Sequence, residues 1–223
     1  MVTNYLQGLK DAGITGCIKH FPGHGDTKAD THFGYAQSMK TWEQMSACEM
    51  VTFRAGIQWG CQLIMTAHIA APNVTGTDVP STMSPIILQN KLRGELGYQN
   101  IIVTDAMDMG AITQQYSNAE AAVGSILADV DIVLAPKNFI EAFDAVIAAV
   151  GNGTISEERI NQSVRRILKL KKENILDAAQ ELVEGDVALL VAGNLRSDAV
   201  VSNRTIDDVV VVKRPSVRLG ARN

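Results

Sequence analysis

The sequence is poor in cysteine and lacks long hydrophobic runs. Three of its 223 residues are cysteine, Cys17, Cys48 and Cys61, and no pair has the C-x-x-C spacing. An odd number of cysteines without that spacing argues against a disulfide framework and against a cysteine-based zinc site. A membrane-spanning helix needs about 20 consecutive apolar residues. No run approaches that length, so no membrane span is predicted.

Positive charge is also scarce. Lys and Arg together number 20 against 24 Asp and Glu, which gives a formal net charge of -4. Because no basic stripe is present, we expect no nucleic-acid partner. Residues 1–10 lack the basic-then-apolar pattern of a signal peptide. The compartment, cytoplasmic or secreted, stays open because the true N-terminus is expected to lie upstream of Met1.

Strand and helix patterns alternate along the part of the chain that carries the clearest periodicity. Short apolar runs predict strands at residues 14–20, 61–66, 101–104 and 132–134. Helical periodicity or capping residues predict helices at 41–60, 84–96, 119–128 and 139–150, and from 156 onward. Thr41 and Ser156 are the expected N-caps of the first and the last of these helices. The runs are continuously apolar, which is typical of strands buried on both faces of a parallel sheet. The sequence therefore predicts an α/β fold.

Polar side chains stand where the predicted strands end. Lys19 and His20 close the first strand, His68 follows the second, and Asp105 follows the third. The carboxyl ends of parallel strands share one face of the sheet, where α/β proteins place their active sites. Any one of these polar residues could simply mark the end of its strand. Because residue types common in catalysis recur at three strand ends, we favour a functional site.

The stretch from residue 19 to residue 32 is unusually rich in titratable groups for a connecting loop. Asp30 and His32 are two residues apart, so in an extended segment they project to the same side. The carboxylate could then orient the imidazole and raise its basicity, giving a proton donor near neutral pH. The alternative is a solvated polar loop. We expect His24 and Asp26 to hold the loop in shape.

The remaining candidates each have a structural alternative. Asp105 is either a catalytic carboxylate or a helix N-cap, and Asp108 is interpreted as a solvated or capping residue. Lys19, at the inner end of a buried strand, would need a partner, and a hydroxylated ligand would provide one. His68 is either a ligand contact, which we favour, or a satisfied core histidine.

These residues carry a family resemblance. Residues 19–27 (KHFPGHGDT) with residues 30–32 (DTH) resemble the signature of family 3 glycoside hydrolases, in the β-N-acetylhexosaminidase branch. Residues 102–107 (IVTDAM) resemble the nucleophile motif of that family. The resemblance extends from about residue 2 to residue 172.

The resemblance implies a retaining mechanism on a β-linked N-acetylglucosaminide, with no cofactor and no metal. Asp105 would attack the anomeric carbon and form a covalent glycosyl-enzyme, and the Asp30–His32 dyad would act as acid and then base. Lys19 and His20 match the contacts of the family to sugar hydroxyls. The carbohydrate substrate is the only partner expected.

The resemblance also implies a barrel larger than this chain. A complete (β/α)8 barrel has eight strand–helix units and about 250 residues, against four units counted here. The expected fold is therefore the C-terminal half of a TIM-type barrel in residues 1–174. Residues 175–223 would form a linker and the start of a second α/β domain. As a fragment, the isolated chain could lack activity.

Two other functions remain open from the sequence. A metal-dependent barrel hydrolase could use Asp105 with histidines drawn from the set His20, His24, His32 and His68. Against it, neither H-x-H nor H-E-x-x-H occurs, and Lys19 would lie beside the dication. An inert sugar-binding remnant of the fold is the second alternative.

Overall fold

The computed structural model describes residues 1–25, 27 and 36–176 of the chain. Within these residues five strands occur: β1 Cys17–Phe21, β2 Ala36–Gln37, β3 Leu63–Thr66, β4 Ile69–Ala70 and β5 Ile101–Val103. The α-helices are α1 Val2–Asp11, α2 Trp42–Ala47, α3 Glu49–Trp59, α4 Pro72–Thr75, α5 Gly110–Thr113, α6 Asn118–Leu127, α7 Phe139–Gly151 and α8 Glu157–Lys171. A 3-10 helix covers Ser81–Met83, and π-helices cover Ile86–Glu95 and Lys172–Leu176.

The main sheet is parallel and has the strand order β1-β3-β5, so its strands follow one another in space in the same order as along the chain. Ile18 is level with Ile64, and Ile64 is level with Ile102. All three isoleucines are buried, as the continuously apolar runs predicted. The α/β class is therefore confirmed, whereas the half-barrel stays a prediction.

The predicted fourth strand is wrong as a regular strand. Ile132 forms only an isolated parallel bridge with Val103. Two residues further along, the backbone of Leu134 makes no sheet hydrogen bonds among the described residues. Its amide donates to Thr104 Oγ1 at 2.9 Å, and its carbonyl accepts from the Met107 amide at 2.9 Å. Ala135 then has a φ of 45°, so the extended conformation ends there.

The predicted helix at residues 41–60 is in fact two helices. Thr41 caps α2 with a reciprocal capping box involving Gln44, as the sequence predicted for this N-cap. Cys48 then leaves the helical region, with φ -125° and ψ -78°, and α3 starts after it. The Arg54 guanidinium donates to the carbonyl of Ser46 at 2.8 Å, which satisfies an acceptor in the last turn of α2.

A second, small sheet was not predicted from the sequence. β2 pairs in parallel with β4, with Ala36 opposite Ile69 and Gln37 opposite Ala70. The Ser38 amide extends this pairing by donating to the Ala70 carbonyl at 2.9 Å. Strands of two residues have no detectable period, which explains why sequence reasoning missed them. Their pairing ties the chain after β1 to the chain after β3.

Helices cover the main sheet through an aromatic and aliphatic core. Phe21 and Phe53 meet edge to face, with ring centroids 5.1 Å apart. Tyr98 is buried and its hydroxyl donates to the Ile101 carbonyl at 2.9 Å, so its polar end is satisfied. In the part of the chain that the structure describes, no helix is both long enough and apolar enough to cross a membrane. Residues 177–223 lie outside the described part, so the predicted second domain stays a prediction.

A buried ion cluster lies at the opposite end of β5 from Asp105. The Asp131 carboxylate, whose side chain is fully buried, accepts from Arg93 Nη2 at 2.8 Å and from Arg166 Nη1 at 2.9 Å. It also accepts from the Ile102 amide at 2.9 Å and from the Ser163 hydroxyl. Burial by itself would raise the pKa of Asp131, but these hydrogen bonds and cations outweigh it and hold the pKa below its usual value.

Replacing this carboxylate should destabilise the fold. Asp131→Asn keeps the shape but removes the carboxylate charge that Arg166 and Arg93 both contact, which leaves Arg93 paired with Asp129 alone. We therefore expect a loss of about 3–5 kcal/mol in the free energy of unfolding. Since the pKa of Asp131 is lowered in the fold, its contribution is present above the unfolded pKa of about 3.9 and disappears as the pH falls through the folded value.

Urea unfolding of the wild type and of Asp131→Asn at pH 7 and at pH 3 measures the loss of stability and its dependence on pH. Asp144→Asn, at an exposed position of α7, is the matched control and should change stability by less than about 0.5 kcal/mol. Equal effects of the two substitutions at pH 7 would contradict a stabilising role of the ion cluster.

Candidate active site

The carboxyl ends of β1 and β5 place a histidine against a carboxylate. His20 lies in β1, and Asp105 follows β5 by two residues. His20 Nε2 lies 3.3 Å from Asp105 Oδ2, and the two side chains are 25% and 18% exposed. The sequence predicted that these residues share one face of the sheet, and the structure places them in direct contact.

Hydrogen bonds to backbone groups hold Asp105 at the end of β5. Its amide donates to the Thr66 carbonyl at 3.2 Å, and its Oδ1 accepts from the Ala106 amide at 2.9 Å. The next helix, α5, starts only after Met109, which is its N-cap. The alternative that Asp105 is a helix N-cap is therefore wrong. A carboxylate has about four lone-pair positions, so both oxygens can accept a further contact.

The chain after β1 turns sharply at the edge of the site. The Lys19–His20 and Phe21–Pro22 peptide bonds are cis, and Gly23 has a φ of 128°. The His24 ring contacts Thr27 Oγ1 at 2.9 Å through Nδ1 and meets the His20 ring edge-on, with centroids 5.9 Å apart. These contacts within the loop favour the loop-structuring role predicted for His24.

Gly23 is packed against α3. A Cβ atom added at Gly23 would lie 2.8 Å from Glu49 Cβ and closer still to Glu49 Cγ. The Glu49 carboxylate pairs with Lys40. Pro22 and the two glycines of the loop are typical of a turn, but nothing in the sequence indicated that Glu49 supports it.

His68 is buried, with 1% of its surface exposed, and both of its ring nitrogens contact protein atoms. Nδ1 lies 2.9 Å from Thr82 Oγ1, and Nε2 lies 3.0 Å from the Ala106 carbonyl oxygen. Burial lowers the pKa of His68 against the opposing effects of the Ala106 carbonyl and Asp105. A sugar hydroxyl could bond this ring only by displacing one of those partners, so the arrangement favours the core-histidine interpretation over the ligand contact.

The remaining predicted site residues are placed less fully. Lys19 is exposed, so it does not carry the buried charge that the sequence suggested, and its contact to a sugar stays a prediction. Asp26, Asp30 and His32 lie outside the described residues. The roles assigned to these three therefore also stay predictions.

Metal-ligating residues do not cluster in the described residues: no group of three or more His, Cys, Asp and Glu side chains there could hold an ion. His68 has its two nitrogens engaged, as above. His32, which the metal-hydrolase alternative also drew on, lies in the part of the chain that is not described.

A cavity of about 620 Å³ lies next to the Asp105 loop. Its wall includes Met107, Tyr116 and Lys137, together with Asn118 and Glu141. The last two bond each other, because Asn118 Nδ2 donates to Glu141 Oε2 at 2.9 Å. Neither His20 nor Asp105 is among the lining residues, so the cavity does not include the carboxylate.

Comparison with known proteins gives the family. Residues 1–170 match the glycosyl hydrolase family 3 N-terminal domain. Beta-hexosaminidase A of Pseudoalteromonas piscicida is 28% identical over 243 residues, covering 94% of this chain and 41% of that protein. The solved structure of a family 3 β-N-acetylglucosaminidase from Paenibacillus is 40% identical with a TM-score of 0.76, covering 78% of this chain and 34% of that one.

A third similarity is to the solved structure titled beta-glucoside phosphorylase, which is 29% identical with a TM-score of 0.74. It covers 79% of this chain and 33% of that one. The chain belongs to glycosyl hydrolase family 3, whose N-terminal domain has a TIM-barrel fold. It spans less than half the length of the relatives named here.

The turn after β1 should depend on Gly23. Gly23→Ala places a side chain in a left-handed conformation and against Glu49, so we expect a loss of about 1–3 kcal/mol in the free energy of unfolding. Gly25→Ala is the matched control two residues away, since an added Cβ there meets no heavy atom of the described residues within 4 Å. Denaturant unfolding of both variants measures the difference, and equal losses would show that the Glu49 contact is not the cause.

Proposed function

We propose that the protein is a retaining β-N-acetylhexosaminidase that removes N-acetylglucosamine from the non-reducing end of β-glycosides. The observation that carries the proposal is the Asp105 carboxylate, which is fixed at the carboxyl end of β5 and lies 3.3 Å from His20 of β1. A partly exposed carboxylate on this face of a parallel α/β sheet is in the position where barrel enzymes carry out their chemistry.

In the first step Asp105 acts as nucleophile. One carboxylate oxygen forms a bond to the anomeric carbon while the glycosidic carbon–oxygen bond breaks with its electron pair going to the leaving oxygen. Oδ1 is held by the Ala106 amide and Oδ2 lies against His20, so the carboxylate plane is fixed before substrate binds. Such preorganisation lowers the barrier, because the attacking group needs no reorientation.

In the second step water releases the sugar. We assign the acid–base role to the Asp30–His32 dyad, which protonates the leaving oxygen and then takes a proton from the attacking water. Both residues lie outside the described part of the chain, and the assignment is supported by the sequence motif alone. Lys19 and His20 are proposed to bind sugar hydroxyls, and the contact between His20 and Asp105 supports this role for His20.

The names of similar proteins support the choice of sugar. The Pseudoalteromonas relative is named a hexosaminidase and the Paenibacillus structure an N-acetylglucosaminidase. The phosphorylase title raises inorganic phosphate as an alternative acceptor for the glycosyl group. An assay therefore needs both a hexosaminide and a glucoside, each with and without phosphate.

The direct test is release of nitrophenol from an aryl N-acetyl-β-glucosaminide by the full chain. Asp105→Asn keeps the shape of the side chain but removes the nucleophile, so we expect kcat to fall roughly 10⁴-fold or more. Asp108→Asn is the matched control, since Asp108 is exposed and three residues away, and its kcat should stay within about twofold.

The outcomes separate the alternatives. Turnover lost in Asp105→Asn and unchanged by a chelator supports the proposal, and loss of activity on chelation would select a metal-dependent hydrolase instead. Faster turnover of the glucoside with phosphate would select a phosphorylase. No turnover by folded full chain, with retained sugar binding, would make the chain a sugar-binding remnant and overturn the proposal.

A further inference from the structure

We propose that His68 is a positioning residue that fixes the segment carrying the nucleophile by holding the Ala106 carbonyl. This inference rests on the proposed function of Asp105. It adds His68 to the residues that support the reaction, without assigning it any contact with substrate. It is carried by three observations: the burial of the ring, the engagement of both its nitrogens, and the bonds made by the peptide groups on either side of Asp105.

The geometry fixes which ring nitrogen carries the proton. The Ala106 carbonyl oxygen can only accept, so His68 Nε2 must donate across the 3.0 Å between them. In the neutral ring Nδ1 is then an acceptor, and the Thr82 hydroxyl supplies the hydrogen across 2.9 Å. In the opposite tautomer, the unprotonated Nε2 and the Ala106 carbonyl oxygen would both be acceptors and could not bond each other.

Thr82 is itself part of a buried network. Its hydroxyl also lies 3.0 Å from the Ala67 carbonyl, so one hydrogen is shared between that oxygen and His68 Nδ1. Thr66 Oγ1, 2.8 Å away, completes the network by donating to Thr82. Thr66 and Thr82 are fully buried. A buried hydrogen-bond network of this kind favours one arrangement of its members.

The peptide group between Ala106 and Met107 is fixed at both ends. Its carbonyl accepts from His68, and its N–H, that of Met107, donates to the Leu134 carbonyl at 2.9 Å. On the other side of Asp105, its own amide donates to the Thr66 carbonyl at 3.2 Å. Asp105 is thus held between two anchored peptide groups, and His68 is the side chain that supplies one of the anchors.

Removing that anchor should affect the chemical step more than binding. A displacement of about 1 Å in a reacting group can reduce the rate roughly 100-fold. In His68→Asn the amide is too short to reach Ala106, so we expect kcat on the aryl N-acetyl-β-glucosaminide to fall roughly 10- to 100-fold. KM should stay within about threefold, since no sugar contact is removed.

His68→Gln is the conservative variant. Its carboxamide reaches about as far as Nε2 and can donate to the Ala106 carbonyl, so it should recover part of the lost kcat. Thr82→Val removes the hydroxyl hydrogen that bonds His68 Nδ1, so kcat should fall in this variant as well. Thr75→Val is the matched control, because Thr75 is also buried and its hydroxyl bonds, among the described residues, only Ala71 and Thr77.

NMR spectra test the hydrogen bond between His68 and Ala106 independently of activity. In the ¹⁵N spectrum of the wild-type chain, His68 should show the neutral form with the proton on Nε2, and the ¹³C signal of the Ala106 carbonyl should move in His68→Asn and return toward wild type in His68→Gln. Thermal unfolding of each variant checks that the chain remains folded.

The two proposals fail separately. Absence of turnover in the wild type overturns the proposed function, while the spectra still decide whether His68 holds Ala106. Turnover in the wild type with unchanged kcat in folded His68→Asn overturns the positioning role. So does an Ala106 signal that stays unmoved, or a rise in KM with kcat unchanged, which would select direct sugar binding by His68.

Discussion

The hydrogen-bonded parallel register of β1, β3 and β5 is the constraint on which the candidate site depends. It sets Ile18, Ile64 and Ile102 at one level of the sheet. Because the strands run in the same direction, the residues beyond that level emerge at the same edge. His20 and Asp105 are 85 positions apart in the numbering of the chain, yet they meet there at 3.3 Å.

The two ends of the sheet are held by different chemistry. At one end, the buried Asp131 joins Arg93 and Arg166 and bonds the Ile102 amide. At the other, neutral hydrogen bonds of Thr82 and His68 fix the backbone around Asp105. Each of these charged side chains lies in an ion pair, which suits a structural role. The second end leaves the Asp105 carboxylate partly exposed, which suits a chemical one.

Local patterns predicted local structure well. The N-caps Thr41 and Ser156 accept hydrogen bonds as expected, since a cap needs only its own helix turn. Features that depend on distant partners were not predictable in this way. The two-residue strand Ala36–Gln37 exists only because Ile69–Ala70 lies beside it, and the break at Cys48 has no signal in the apolar periodicity.

Local sequence patterns were enough to predict the α/β alternation, the family and the positions of four polar residues at strand ends: Lys19, His20, His68 and Asp105. Periodicity and strand-end position are local properties. Which of these side chains meet became known only from the folded chain. It set His20 against Asp105, and it turned His68 inward to Thr82 and Ala106. The reason is physical: hydrogen-bond partners across neighbouring strands are chosen by sheet register and loop path, which no short stretch of sequence encodes.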